Sequence, residues 1–147
     1  MSHLSINFNE VKEQTAVPKG RYELQITGAE EKETGENSKR PGSPMLRFTL
    51  GFTDLSLNAP MISHYVTLPY DGDENANFKL LQMKRFLEAF SIPYDEDGID
   101  TEKLCMDALG CIGTVEVGLT PPRDDGTVFN TIILPKLPKD GQHPPRR

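Results

Sequence analysis

The sequence predicts a mostly β fold: a five-stranded barrel with a helical insertion between its third and fourth strands. Five segments alternate apolar and polar residues with a period of two, which places one face of each strand inward and the other outward. An apolar stripe at helical spacing lies between the third and fourth of these segments. Glycine and proline, 12 of each in 147 residues, provide the turns that short strands require.

The first strand is predicted over residues 20–28, directly after the turn signal Pro18-Lys19-Gly20. Gly28 is expected to end this strand or to form a bulge in it. Residues 30–43 are polar and predict an exposed hairpin loop with a basic second half. The apolar positions of the strand are Tyr22, Leu24 and Ile26.

The second and third strands are predicted over residues 44–52 and 61–68. In the third, Tyr65 has the opposite phase to His64 and Val66, so its side chain is expected to point away from the core. The apolar positions of the second strand are Leu46, Phe48, Leu50 and Phe52.

The insertion is predicted to contain a helix over residues 76–90 and a short helix over residues 101–109, separated by an acidic linker. Asp73 or Asn75 is expected to cap the first helix, and Asp100 the second, which Gly110 ends. The stripe that should pack on the core consists of Leu80, Met83, Phe86, Leu87 and Phe90.

The last two strands are predicted over residues 111–119 and 128–134, joined by a hairpin around Asp125-Gly126. Three strands, a helical insertion and two further strands is the order expected of an OB-like barrel. We therefore divide the chain into an N-terminal arm (residues 1–17), an OB-fold domain (residues 18–137) and a disordered Pro-rich tail (residues 138–147).

Charge alone does not favour nucleic-acid binding, because the net charge is −6 and cations supply most of the affinity for phosphates. Acidic and basic residues are segregated along the chain, however, and this segregation allows a basic groove on an acidic body without requiring one.

Two cysteines, Cys105 and Cys111, have no ligand at metal-binding spacing, and we expect buried free thiols, no metal and no cofactor. No apolar run approaches the ~20 residues that span a bilayer, and the N-terminus resembles no signal peptide. These observations predict a cytoplasmic protein without a membrane partner.

Four stretches occur in a fixed order along the chain: residues 17–30, 44–50, 80–90 and 110–117. This ordered series resembles a family of bacteriophage-encoded single-stranded DNA-binding proteins with an OB fold. The resemblance extends over residues 17–136 and implies a role in DNA replication or recombination in the host cytoplasm, with phage replication or recombination proteins and further copies of the chain as potential partners.

Binding single-stranded DNA without sequence preference requires a cationic groove and aromatic rings on which bases stack. The candidate cations are Lys19, Arg21, Lys39, Arg40, Arg47, Arg123 and Lys136. The candidate stacking residues are Tyr65, Tyr70 and Phe129, although the phase of Phe129 leaves its face open. Each of these aromatics could instead pack in the core, and each arginine could belong to a solvated surface.

Two other functional classes differ from DNA binding in what they require of the sequence. An enzyme is not expected, because the sequence contains no recognisable catalytic triad and no glycine-rich phosphate loop after a strand. The alternative is a protein-interaction or virion-assembly module, in which the β-barrel is a scaffold and no nucleic acid is bound.

Overall fold

In a computed structural model of the protein, residues 13–33 and 42–135 are described. Their five strands form one antiparallel sheet in the order β3-β2-β1-β4-β5. The edge strands β3 and β5 also contact each other, so the sheet curls into a nearly closed barrel. The strands are β1 (Gly20–Glu33), β2 (Pro44–Phe52), β3 (Ile62–Thr67), β4 (Ile112–Leu119) and β5 (Asn130–Ile133).

Two helices, α1 (Ala76–Ala89) and α2 (Thr101–Ala108), connect β3 to β4, and a short 3-10 turn (Leu55–Leu57) precedes β3. The predicted fold class, a mostly β, five-stranded OB-like barrel with a helical insertion, is confirmed. Neither helix in the described part of the chain is long and apolar enough to cross a membrane. The predicted tail and the first twelve residues of the predicted arm lie outside the described residues.

The first strand differs most from its prediction, because it continues to Glu33 instead of ending near Gly28. The register between β1 and β2 shifts between Ile26 and Gly28, so Gly28 lies at a bulge within the strand. Beyond the bulge, Glu30 pairs with Arg47 on the neighbouring strand. Residues 30–33 look like a loop in the sequence because they are polar, but pairing with β2 keeps their backbone extended.

The core fills the barrel and the space between the barrel and α1. The ring centroid of Phe86 lies 4.5 Å from that of Phe48 and 4.9 Å from that of Phe90. The prediction that Leu80 belongs to this core is wrong, since 48 % of the residue is exposed. The buried residues of α1 start one turn later, at Met83, so the N-terminal half of the helix projects past the barrel.

The N-termini of the two helices are stabilised in different ways. Asp100 caps α2 as predicted, since its carboxylate accepts hydrogen bonds from the backbone N–H groups of Glu102 and Lys103. Asn75 makes no side-chain capping bond to α1. The carboxylate of Asp73 instead accepts the Asn75 N–H and forms a 2.6 Å ion pair with Lys79. Hydrogen bonding to Lys79 is the main cause that lowers the pKa of Asp73 below its usual value.

Val17, which the sequence assigns to the arm, is buried against the barrel. Its N–H donates to Asn130 Oδ1 and its carbonyl accepts from Asn130 Nδ2, both at 2.9 Å. Residue 17 is therefore attached to the start of β5. Of the two free cysteines, Cys105 is buried and Cys111 is half-buried, and burial raises the pKa of both thiols.

Gly113 allows the end of α1 to approach β4 closely. A Cβ atom added there would lie 2.5 Å from the carbonyl oxygen of Ala89 and 3.0 Å from Cδ1 of Phe90. We expect Gly113→Ala to lower the free energy of unfolding by about 1–3 kcal/mol, since the helix would have to shift. Urea denaturation checks this, with Gly98→Ala as the control because a Cβ there meets no atom within 4 Å. Equal urea midpoints for both variants would contradict the close-approach argument.

Candidate nucleic-acid interface

An arginine and a tyrosine lie side by side on the outer surface of β2 and β3. Arg47 is the direct cross-strand partner of Tyr65 on one side and of Glu30 on the other, so the three side chains form one row across three strands. Tyr65 is 50 % exposed, as its phase in the strand predicts. The row therefore presents a cation and an aromatic ring within one patch of surface.

The guanidinium of Arg47 is held on both sides. It donates to Glu30 Oε1 at 3.3 Å and to Ser63 Oγ at 3.2 Å. Its Nε is buried without a hydrogen-bond partner among the described residues, and about a third of the side chain remains exposed. Because Nε is buried, the donors left for an oxyanion that approaches from solvent are the second N–H groups of the two terminal nitrogens.

A second arginine–aromatic pair lies in the hairpin between β4 and β5. The guanidinium carbon of Arg123 lies 4.5 Å from the ring centroid of Phe129. Phe129 and Ile133 are exposed whereas Ile132 packs against the core, so the ambiguous phase of Phe129 resolves to the outer surface. Phe129 directly precedes β5, and β5 contacts β3 across the barrel closure, so the ring lies next to the start of a strand that neighbours the strand of Tyr65.

The conformation of this hairpin is fixed by its own hydrogen bonds. The N–H of Arg123 donates to the carbonyl of Thr127 at 2.9 Å, and the Gly126 N–H donates to the carbonyl of Arg123 at 2.8 Å. Hydrogen bonding to Thr127, with a smaller contribution from the charge of Arg123, lowers the pKa of Asp125. Asp125 is therefore an anion at neutral pH beside the arginine, and it reduces the positive potential of the hairpin.

The remaining described candidate residues lie on other parts of the fold, away from these two arginine–aromatic pairs. Arg21 lies on the part of β1 that pairs with β4, directly opposite Glu116. Lys19 is exposed just before that strand. Tyr70 lies in the connection between β3 and α1, where Lys79 Nζ is 4.7 Å from its ring centroid.

Three predicted site residues, Lys39, Arg40 and Lys136, lie outside the described residues. In the described ranges, no three His, Cys, Asp or Glu side chains are grouped so that they could hold a metal ion.

The sequence reasoning missed three residues that contact or oppose the predicted cations: Glu30, Ser63 and Glu116. Each acquires its role from the pairing of two strands, which the periodicity within one strand does not reveal. The acids matter because they neutralise part of the charge on Arg47 and Arg21.

A comparison with curated proteins finds no match for this chain. A family profile described as "Protein of unknown function (DUF669)" matches residues 5–144, which is nearly the whole chain. The chain therefore belongs to the DUF669 family.

Proposed function

We propose that this protein binds single-stranded DNA largely independently of sequence, and that it protects the strand during phage DNA replication or recombination. The observation that carries the proposal is the repeated arginine–aromatic pair on the outer surface, Arg47 beside Tyr65 and Arg123 on Phe129. A guanidinium contacts phosphates, and an exposed ring stacks on any base because every base has a π-face. The proposal involves no catalytic step and no cofactor.

The barrel supports this function by geometry. In an OB-like barrel, nucleic acid binds on the outer face of the second and third strands and between the loops that follow the first and fourth strands. Arg47 and Tyr65 occupy that face, and Arg123 lies in the loop after β4. The basic residues Lys39 and Arg40 belong in sequence to the other of these loops and would add phosphate contacts.

A titration of fluorescent oligo-dT tests the proposal. Binding is expected at low salt and should weaken as salt rises, with a slope of log K against log salt of about −3 if Lys39, Arg40, Arg47 and Arg123 each contact one phosphate. Absence of binding at low salt by the folded protein would overturn the proposal and favour the protein-interaction or virion-assembly module. Equal competition by duplex DNA would overturn the preference for single strands.

Glu30 is expected to compete with DNA phosphates for Arg47. Because the Glu30–Arg47 pair is 3.3 Å long and partly exposed, breaking it costs little, on the order of 0.2–1 kcal/mol. Glu30→Gln should therefore increase the affinity for oligo-dT by about two- to fivefold. The matched control is Glu74→Gln, which changes the net charge equally at an exposed position before α1. If both variants change the affinity equally, the effect comes from net charge and not from release of Arg47.

A further inference from the structure

A groove of ≈ 440 Å³ lies between α1 and residues 94–101, in the helical insertion. Its surface is mostly apolar, and Met83 and Leu87 form part of its floor. Leu80 and Ile99 line it with large exposed surfaces, which explains why an apolar residue of the α1 stripe is not in the core. Clusters of exposed aliphatic side chains in a concavity are typical of binding sites for other molecules.

The rim of this groove is acidic. Asp95 and Glu96 line it, and Asp97 and Asp100 are exposed in the same segment. The only lysine among the lining residues, Lys84, forms a 3.3 Å ion pair with Glu96. The lining therefore carries a net negative charge, which disfavours nucleic acid and anionic lipid as ligands.

The acidic surface continues toward the barrel. A second depression shares Leu68 and Thr101 with the groove and reaches the ends of β1 and β2, where Glu31 and Glu33 are exposed. Glu31 accepts a hydrogen bond from the hydroxyl of Thr101, which joins the two depressions. The second depression is more polar than the groove and also includes Lys32, so it extends the charged rim but not the apolar surface.

The walls of the groove are already in place without a ligand. The Lys84–Glu96 pair ties α1 to the acidic segment, and the hydroxyl of Tyr94 donates to Glu88 on the same helix at 2.8 Å. A preformed site loses less conformational entropy when it binds a ligand.

We propose that this groove docks a basic segment of a partner protein, one in which bulky aliphatic side chains are flanked by lysine or arginine. The aliphatic side chains would contact Leu80 and Ile99, and the cations would meet Asp95 and Glu96. This is the pattern by which an amphipathic peptide binds a groove: apolar anchors provide affinity and complementary charges select the partner. The site is separate from the arginine–aromatic pairs of the barrel, so it would recruit a protein without occupying the proposed DNA surface.

The test uses a fluorescent twelve-residue peptide built from leucine at helical spacing and lysine elsewhere, with a peptide of leucine and glutamate as its control. Fluorescence anisotropy should show binding of the lysine peptide only. Leu80→Ser should weaken this binding about fivefold, the amount expected from losing about half of a leucine contact. Met106→Ser, at an exposed residue that does not line the groove, should leave binding unchanged. The double variant Asp95→Asn/Glu96→Gln should weaken binding and flatten its salt dependence.

Three results would overturn the proposal. They are absence of binding by the lysine peptide at low salt, equal binding by the Leu80→Ser and Met106→Ser variants, and equal binding by the glutamate peptide. A concentration-dependent dimer that Leu80→Ser dissociates, without peptide binding, would assign the groove to a second copy of the chain instead. The Leu80→Ser variant, which leaves the net charge unchanged, should bind oligo-dT as the unmodified protein does, so each proposal can fail independently of the other.

Discussion

The double variant Tyr65→Ala/Phe129→Ala is expected to lose about 2–6 kcal/mol of binding free energy for oligo-dT. Removal of a ring that stacks on a base costs about 1–3 kcal/mol. Tyr65 lies on β3 and Phe129 in the hairpin directly before β5, so the two rings are on different segments and their contributions should add approximately. Tyr65 is 50 % and Phe129 42 % exposed, which means that their loss should change the affinity much more than the stability of the fold.

The matched control for this experiment is Phe78→Ala. Phe78 is a still more exposed aromatic residue, at 61 %, but it lies on α1 and not on the barrel surface. Anisotropy titrations of the three proteins, with thermal unfolding measured in parallel, check the prediction. If the double variant binds oligo-dT as tightly as the Phe78→Ala variant while both remain folded, the aromatic rings of the barrel do not stack on bases.

Phe129→Leu adds a second measurement. Leucine keeps much of the apolar area but removes the ring on which Arg123 lies. If stacking is the mechanism, Phe129→Leu should lose most of the affinity for oligo-dT that the single variant Phe129→Ala loses. Retention of the affinity in the leucine variant would indicate that simple apolar contact is sufficient.

Most of the architecture is predictable from the sequence because it depends on local patterns. The bounds of β2 agree with the prediction at both ends, and the start of α1 at Ala76 also agrees. In both cases an apolar periodicity is bounded by residues that favour turns. The end of β1 is not predictable in this way, since residues 30–33 have no apolar alternation and are extended only because β2 lies beside them.

The candidate site is predictable only in part. The outward direction of Tyr65 follows from the phase of one strand, which the sequence contains. The direction of Phe129 does not, because it depends on two hydrogen bonds across the hairpin: the Phe129 carbonyl accepts from the Thr120 N–H, and the Phe129 N–H donates to the Thr120 hydroxyl. The acids opposite Arg21 and Arg47 depend on strand register, which is set by packing and by the bulge in β1. Two of the candidate arginines therefore have acidic cross-strand neighbours that no sequence motif predicts.

These acidic neighbours change how the net charge of −6 should be interpreted. Glu30 opposes Arg47 and Glu116 opposes Arg21, so the proposed DNA surface is less positive than its arginines alone suggest. Stacking, which does not depend on charge, must then provide a larger share of the affinity. The variant Tyr65→Ala/Phe129→Ala should accordingly change the affinity for oligo-dT more than Glu30→Gln does.

The stability of the fold is expected to fall by about 3 kcal/mol as the pH decreases from 6.5 to about 4, through the titration of His64. The imidazole of His64 stacks on the buried ring of Phe86, with centroids 4.9 Å apart and an angle of 16° between the planes. Desolvation in this environment lowers the pKa of His64 from 6.5 to about 4. The residue is therefore neutral in the folded protein at neutral pH.

The direction of this effect follows from linkage. Between pH 6.5 and 4 the unfolded chain binds a proton at His64 and the folded protein does not, so acidification favours unfolding. Above pH 6.5 the contribution of His64 to the free energy of unfolding is fully present. Below about pH 4 His64 is protonated in both the folded and the unfolded protein, and this contribution is lost completely. His64→Phe keeps a flat ring against Phe86 and has no titrating group, so its stability should not include this loss.

Urea denaturation of both proteins at pH 7.5, 6 and 5 measures the effect as a difference between them. Carboxylates also titrate toward the acidic end of this range, but they are common to the two proteins and their contribution cancels in the difference. The free energy of unfolding of the His64→Phe variant, relative to that of the unmodified protein, should increase steadily as the pH falls. Parallel stability curves for the two proteins would mean that His64 titrates normally, and thus that water reaches the imidazole beside Phe86.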